Sequence, residues 1–144
     1  MKVLYTSDVT AVGARHGHAR SSDGLLDLDL ALPPGMGGKG NATNPEQLFA
    51  AAYAACFGGA VEYLAAQQNL VTGEVSVRAQ VGVGPFDEDK GEGFTLCVAL
   101  TVTLPQLTQA QAEALVAHAH RTCPYSNATR NNIQVALTAH GRQP

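Results

Sequence analysis

Hydrophobic and polar positions alternate with a period of two over several segments of the chain. Leucines alternate with aspartates and one alanine over residues 26–32, which is typical of a strand with one solvent-facing side. Residues 75–83 and 94–104 alternate in the same way on either side of a polar, glycine-containing turn, and together they predict a β-hairpin. Residues 2–12 and 133–139 also have the composition of strands.

Two other segments have helical periodicity. Asn44 can cap the first helix and Pro45 suits its first position, after which apolar residues recur at every third or fourth position. The second helix begins at Thr108, where Gln111 completes a capping box, and ends before Pro124. The order strands, helix, hairpin, helix, strand predicts an α+β fold, with two main helices against one face of a mostly antiparallel sheet.

Length and composition narrow the class of protein. A chain of 144 residues favours one domain over residues 1–144, and 45% hydrophobic with 15% charged residues favours a packed globule over a disordered chain. The net charge of −3 argues against a nucleic-acid partner. No apolar run has the length expected of a membrane span, and the first residues lack a secretory signal. We therefore expect a cytoplasmic protein with reduced thiols and no membrane partner.

Two cysteines are the main candidates for chemistry. Cys56 lies in an alanine-rich helical run, and Cys123 directly precedes Pro124, where a new helical turn can begin. Unpaired N–H groups at such a position favour a thiolate at Cys123. A cytosolic chain rarely keeps paired thiols as a structural staple, so two cysteines favour redox or metal chemistry. Cys56 alone would be interpreted as a small core residue, and Cys97 as a packing residue in a strand.

Arg15 and Glu46 are candidates for activating a thiol. Arg15 lies in a glycine-flanked segment interpreted as a strand, and an arginine close to a thiol lowers the pKa of that thiol. Glu46 could orient it through a two-pronged carboxylate pair. Glu46 is about 15 Å from Cys56 along one helix, so it must act through Arg15 or come from a second chain. The alternatives are a solvated strand arginine and a glutamate that only stabilises the helix start.

Histidine pairs raise metal binding as a minor alternative. The pairs are His16 with His18, and His118 with His120. Residues two apart do not face each other on a helix, and no cysteine or carboxylate stands near either pair with regular zinc spacing. We therefore expect no metal site.

Five stretches carry a resemblance to a known family. They are GARHG at 13–17, SDG at 22–24, TNPEQLFAA at 43–51, AACF at 54–57 and CPYSNATR at 123–130. They resemble the organic hydroperoxide resistance (Ohr) branch of the OsmC/Ohr family, and the resemblance covers nearly the whole chain. It implies a thiol peroxidase that forms an intertwined homodimer with active sites at the interface.

The resemblance also implies residue roles. Cys56 would be the peroxidatic thiol, Cys123 the resolving thiol that forms a disulfide with it, and Arg15 with Glu46 the activating pair. No cofactor would be bound, and a lipoyl group on a carrier protein would be the reductant.

The composition around the thiol bears on the substrate, and the chain departs from the family at a few positions. Aromatic neighbours of Cys56 suit an organic, fatty-acid-like hydroperoxide; they are Phe49, Tyr53 and Phe57. Gly58 and Gly59 stand where bulkier residues are expected, which predicts a wider pocket or a less rigid helix. Asn131 stands where a glycine is common, and Cys97 has no role in the family pattern.

Three alternatives stay open at this point. The first is a general OsmC-type peroxidase without a preference for organic hydroperoxides. The second is a non-catalytic binder of small apolar ligands, in which Cys56 is a core residue. The third is a cysteine hydrolase, which would need His118 or His120 to reach a thiol as the base.

Overall fold

The computed structural model of the chain describes residues 1–88 and 90–142. The chain divides into two compact units, residues 1–48 and residues 49–144. The first unit holds an antiparallel sheet with the strand order β1-β2-β3. Its strands are β1 (Val9–Val12), β2 (His18–Ser21) and β3 (Asp27–Asp29). The single-domain organisation stays a prediction.

The strands of the first unit are shorter than predicted. Residues 2–8 precede β1, and the strand expected over residues 26–32 covers only Asp27–Asp29. Arg15 lies on a 3₁₀ turn, Ala14–His16, so its assignment to a strand is wrong. The physical reason is the tight connection between β1 and β2. Gly13 has a left-handed φ of 80°, and a Cβ on Gly17 would lie 1.7 Å from the carbonyl oxygen of Val12.

The first long helix, α1 (Pro45–Gln67), leads from the first unit into the second. The Asn44 side chain accepts a hydrogen bond of 2.9 Å from the backbone N–H of Gln47, which confirms the predicted cap. By length and composition α1 could cross a membrane, so the expectation that no run reaches that length is wrong. Its buried residues belong to the protein core, however, which is how a core helix behaves. They are Tyr53, Phe57, Ala60, Val61, Leu64 and Ala65.

The second unit contains the predicted hairpin and a parallel third strand. The strand β4 (Ser76–Pro85) pairs antiparallel with β5 (Phe94–Thr103), and β6 (Gln134–His140) pairs parallel with β5. The helices α2 (Gln109–Thr122) and α3 (Pro124–Thr129) connect β5 to β6. A parallel neighbour needs such a long crossover, because a tight turn can only reverse the chain. Asp89, in the predicted hairpin turn, lies outside the described residues.

The fold class is α+β, as predicted, but with two three-stranded sheets where one sheet was expected. The capping box of α2 is confirmed, since the Thr108 hydroxyl accepts from the Gln111 backbone and Gln111 Oε1 accepts from the Thr108 backbone. Asn131 has a left-handed φ of 61°, a conformation that asparagine tolerates better than most residues. The asparagine can therefore replace the glycine expected there.

Candidate active site

The two candidate thiols meet in the second unit. Cys56 lies on α1 and Cys123 between α2 and α3, and their sulfur atoms are 3.7 Å apart. Both are free thiols; Cys56 is partly exposed and Cys123 is fully buried. A disulfide bond is about 2.05 Å long, so the sulfurs are in contact but not bonded. The pair can exist in a dithiol or a disulfide form if the sulfurs approach each other by about 1.7 Å.

The backbone of Cys123 is held by both helices that it joins. Its N–H donates to the Ala119 carbonyl at the end of α2, over 2.8 Å. Its carbonyl accepts from the Asn127 N–H in α3, over 3.0 Å. Cys123 has an extended conformation, with φ −62° and ψ 127°, and Pro124 follows at the first helical position. The prediction that a helix begins after Cys123 is confirmed.

Groups of the second unit act on the Cys56 thiol in opposite directions. Burial raises its pKa above the ordinary value, and the neighbouring Cys123 raises the pKa further. A hydrogen bond from the backbone N–H of Tyr125, in the first turn of α3, lowers the pKa. The net shift is upward, so these groups favour the neutral thiol. A nucleophilic thiolate at neutral pH therefore needs a further stabilising charge.

Arg15 and Glu46 form a two-pronged ion pair within the first unit. The two terminal guanidinium nitrogens of Arg15 donate to the two carboxylate oxygens of Glu46, over 2.8 and 2.9 Å. The predicted contact between the two side chains is therefore present. The Arg15 hydrogen bonds lower the pKa of Glu46, and Glu46 in turn raises the pKa of Arg15. Both groups are charged at neutral pH, and the pairing fixes the plane of the guanidinium group.

An aromatic cluster joins α1, which carries Cys56, to α3, which follows Cys123. Tyr53 and Phe57 are fully buried in the core, whereas Phe49 is partly exposed. The Phe49 ring lies 6.2 Å from that of Tyr125, and Tyr125 lies 5.7 Å from Tyr53. Tyr125 had no predicted role, although its position directly after Cys123 and Pro124 could have indicated one. Of the three predicted aromatic neighbours, Phe49 is the one that a ligand can reach in this structure.

The surroundings of Cys97 and His18 differ from those of the two thiols in contact. Cys97 is exposed, so its interpretation as a packing residue is wrong; its strand turns that side chain away from the core. His18 contacts Asp29 over 2.8 Å and Asp27 over 2.5 Å, two carboxylates that the linear spacing of the sequence did not place beside it. These neighbours, Asp29 first, raise the pKa of His18. The carboxylates come from β3 across the sheet, a proximity that linear spacing does not reveal.

His120 also has a polar neighbour, and the possible metal ligands of the described residues do not cluster. His120 contacts the Ser126 hydroxyl through Nδ1, over 2.9 Å. Within residues 1–88 and 90–142, no group of three or more His, Cys, Asp or Glu is placed to hold a metal ion.

Gly58 and Gly59 lie within the continuous helix α1, beside a groove of about 290 Å³ against β4.

Two unbonded thiols in contact on an α+β scaffold define a dithiol protein. Comparison with known proteins shows the family to which such a chain is similar. A family model described as OsmC-like protein matches residues 38–138. An organic hydroperoxide resistance protein from Xanthomonas axonopodis pv. citri is 51% identical over 95% of both chains. An organic hydroperoxide resistance protein, OhrB, from Bacillus subtilis is 45% identical over 93% of this chain and 96% of the relative.

A solved structure supports the same assignment. The crystal structure of an organic hydroperoxide resistance protein from Legionella pneumophila is 48% identical. It superposes with a TM-score of 0.90, over 99% of this chain and 100% of that one. The chain therefore belongs to the OsmC/Ohr family, and within it to the Ohr branch.

Proposed function

We propose that the protein is a thiol peroxidase that reduces organic hydroperoxides to alcohols as part of oxidative stress defence. The observation that carries the proposal is the 3.7 Å separation between the partly exposed Cys56 sulfur and the buried Cys123 sulfur. Such a pair suits a two-electron redox cycle, because one thiol is accessible to a substrate and the other is in reach for resolution. The names of the Ohr relatives support organic hydroperoxides as the substrate class.

The cycle begins at Cys56. Its thiolate attacks the distal oxygen of the hydroperoxide, so that an S–O bond forms and the O–O bond breaks. The alkoxide leaves and takes up a proton to become the alcohol. The peroxide gains two electrons, and Cys56 is oxidised to a sulfenic acid.

Cys123 then resolves the sulfenic acid of Cys56. Its sulfur attacks the Cys56 sulfur, the S–O bond breaks, and hydroxide leaves as water with the Cys123 proton. An external dithiol then attacks the disulfide by exchange and restores both thiols while it becomes oxidised. We propose a lipoyl group on a carrier protein as this dithiol and the cytoplasm as the compartment, where the resting thiols are reduced.

Arg15 supplies the charge that the thiolate requires. Burial raises the pKa of Cys56, so the activating group must overcome a desolvation penalty. An arginine held in plane by Glu46 presents N–H donors and a fixed positive charge to an anion. Phe49, with Tyr53 and Phe57 behind it, forms the apolar side of the substrate pocket and favours peroxides with hydrocarbon groups.

Steady-state turnover tests the proposal and separates it from its rivals. Cumene hydroperoxide and hydrogen peroxide are compared as substrates, with dihydrolipoamide as the electron donor. We expect kcat/KM for cumene hydroperoxide to exceed that for hydrogen peroxide by at least about tenfold, since only the first substrate gains from apolar contacts. Equal values would favour a general OsmC-type peroxidase. The absence of turnover with either peroxide would favour a binder of small apolar ligands.

We expect the protein to be a homodimer. Several apolar side chains of the first unit are more than half exposed in the single chain: Val3, Leu4, Tyr5, Val12 and Leu25. A second copy of the chain that covered these side chains would remove apolar surface from water, which stabilises an association. Light scattering at low micromolar concentration should give twice the 15.0 kDa mass of the chain. A fully active monomer would contradict the expectation.

A further inference from the structure

Three polar side chains form a hydrogen-bonded chain inside the second unit. Tyr53 and Ser126 are fully buried, and the Tyr53 hydroxyl lies 2.9 Å from the Ser126 hydroxyl. The Ser126 oxygen lies 2.9 Å from Nδ1 of His120. Thr129 adds a longer contact of 3.3 Å to the Tyr53 hydroxyl. We call Tyr53, Ser126 and His120 the polar triad; the proposed peroxidase cycle uses none of their polar groups.

The polar triad connects α1, which carries Cys56, with the two helices α2 and α3 that flank Cys123. Tyr53 lies three residues before Cys56 on α1, and Ser126 lies three residues after Cys123 in the first turn of α3. His120 lies three residues before Cys123 on α2. Residues three apart in a helix are neighbours on its surface, so each triad member lies about one turn from a thiol. The triad therefore links the same elements as the sulfur pair, about one helical turn away from it.

The donors and acceptors available in the triad determine which group donates each hydrogen bond. Burial lowers the pKa of His120, and the charge of Arg130 lowers it further, so the imidazole is neutral at neutral pH. A neutral imidazole can accept at Nδ1 from the Ser126 hydroxyl. The Ser126 oxygen can then accept from the Tyr53 hydroxyl, so that each of the two contacts has one donor and one acceptor. Losing the central hydroxyl would remove the 2.9 Å partner of the buried Tyr53 hydroxyl and the Nδ1 partner of the partly exposed His120, which destabilises this arrangement of the helices.

We propose that Ser126 is a positioning residue for disulfide closure: held between Tyr53 and His120, it sets α3 against α1 so that Cys123 reaches the Cys56 sulfur. This inference rests on the proposed function for its place in the cycle. Cys123 is the residue immediately before α3, so a shift of α3 moves the Cys123 sulfur relative to Cys56. Attack on a sulfur needs a close and aligned approach, and misplacement by about 1 Å can slow a reaction by about 100-fold.

The test measures closure without peroxide. In a Cys97→Ser background, the aromatic disulfide DTNB reacts with Cys56, forming a mixed disulfide and releasing one thionitrobenzoate. Cys123 then attacks the Cys56 sulfur, forming the Cys56–Cys123 disulfide and releasing the second thionitrobenzoate. The two releases, followed by absorbance after rapid mixing, report the reactivity of Cys56 and the closure step separately. A loss of global stability alone would not change the closure rate of the folded protein.

Ser126→Ala should slow the second release by at least about tenfold and change the first by less than about threefold. Tyr53→Phe, which keeps the ring and removes the hydroxyl, should slow the second release in the same direction and serves if Ser126→Ala does not fold. The matched control is Thr122→Ala, since the Thr122 hydroxyl donates to the His118 carbonyl of its own helix. Closure in both triad variants at the rate of the control would overturn the proposal.

The result is independent of the peroxidase activity. If the Cys97→Ser protein releases the second thionitrobenzoate but does not turn over any hydroperoxide, the proposed function fails while the role of Ser126 is still decided by the variants. If hydroperoxide turnover is present and the variants close normally, the positioning role fails and the peroxidase proposal stands.

Discussion

Replacing Cys56 with serine is expected to abolish peroxide reduction, whereas replacing Cys123 with serine should leave the first step and remove the second. A serine hydroxyl at position 56 is too weak a nucleophile to attack the peroxide bond. In Cys123→Ser, the Cys56 thiolate still attacks, but no thiol lies 3.7 Å away to resolve the sulfenic acid. Such a protein should consume about one equivalent of peroxide per chain to reach the sulfenic acid, and a second equivalent only where that is oxidised further to the sulfinic acid.

Mass spectrometry after one equivalent of peroxide distinguishes these outcomes. The wild type should contain an intramolecular Cys56–Cys123 disulfide, and Cys123→Ser a sulfenic acid that dimedone traps at Cys56. Cys97→Ser is the matched control, because the Cys97 thiol is exposed on a strand of the sheet and should not affect turnover. A main product that links Cys56 to Cys97, or one chain to another, would contradict the assigned roles.

Arg15→Ala is expected to raise the pKa of Cys56 and to slow peroxide reduction at pH 7 by at least about tenfold. Burial already raises the pKa of this thiol, and one pKa unit corresponds to about 1.4 kcal/mol of preference between the two protonation states. Below the pKa of the thiol, each unit of increase lowers the thiolate fraction about tenfold. The profile of rate against pH should therefore move to higher pH in the variant, with part of the rate recovered under alkaline conditions.

Two companion variants separate charge from geometry. Glu46→Gln should have a smaller effect than Arg15→Ala, because it weakens the two-pronged hydrogen bonds but leaves the cation. Arg15→Lys should restore the rate only in part, since an ammonium group lacks the planar fork that can hold Glu46 and face a thiolate together. Rates are measured with cumene hydroperoxide, and the pKa of Cys56 is measured from the ultraviolet absorbance of its thiolate as the pH is varied. An unchanged thiol titration and rate in Arg15→Ala would mean that Arg15 is only a structural partner of Glu46.

Local chemistry explains why parts of the fold could be predicted. The Asn44 cap, the capping box of Thr108 and Gln111, and the break at Cys123 depend on neighbours within a few residues. The alternating pattern of the hairpin reports which side of a strand is buried, so β4 and β5 were predictable as a pair. Motif resemblance, rather than spacing, supplied the roles of Cys56 and Cys123.

The features that the sequence missed have both long-range and local causes. Whether β6 runs parallel or antiparallel to β5 depends on the path of α2 and α3, which no local pattern encodes. The carboxylate neighbours of His18 come from another strand, and Arg15 adopts a 3₁₀ turn because β1 and β2 are joined by a tight connection. Cys97 was interpreted as a packing residue on the strand face opposite Leu96 and Val98, but that position is exposed in the structure.

Residue types and their order were sufficient for the helices, the hairpin and the candidate thiols, because each depends on interactions between near neighbours in the chain. Packing in three dimensions was needed to bring two sulfurs from residues 56 and 123 to 3.7 Å and to enclose the Tyr53–Ser126–His120 triad beside them. Distances of this kind result from the simultaneous packing of helix and strand side chains into one hydrophobic core, since closely packed side chains allow few alternative arrangements.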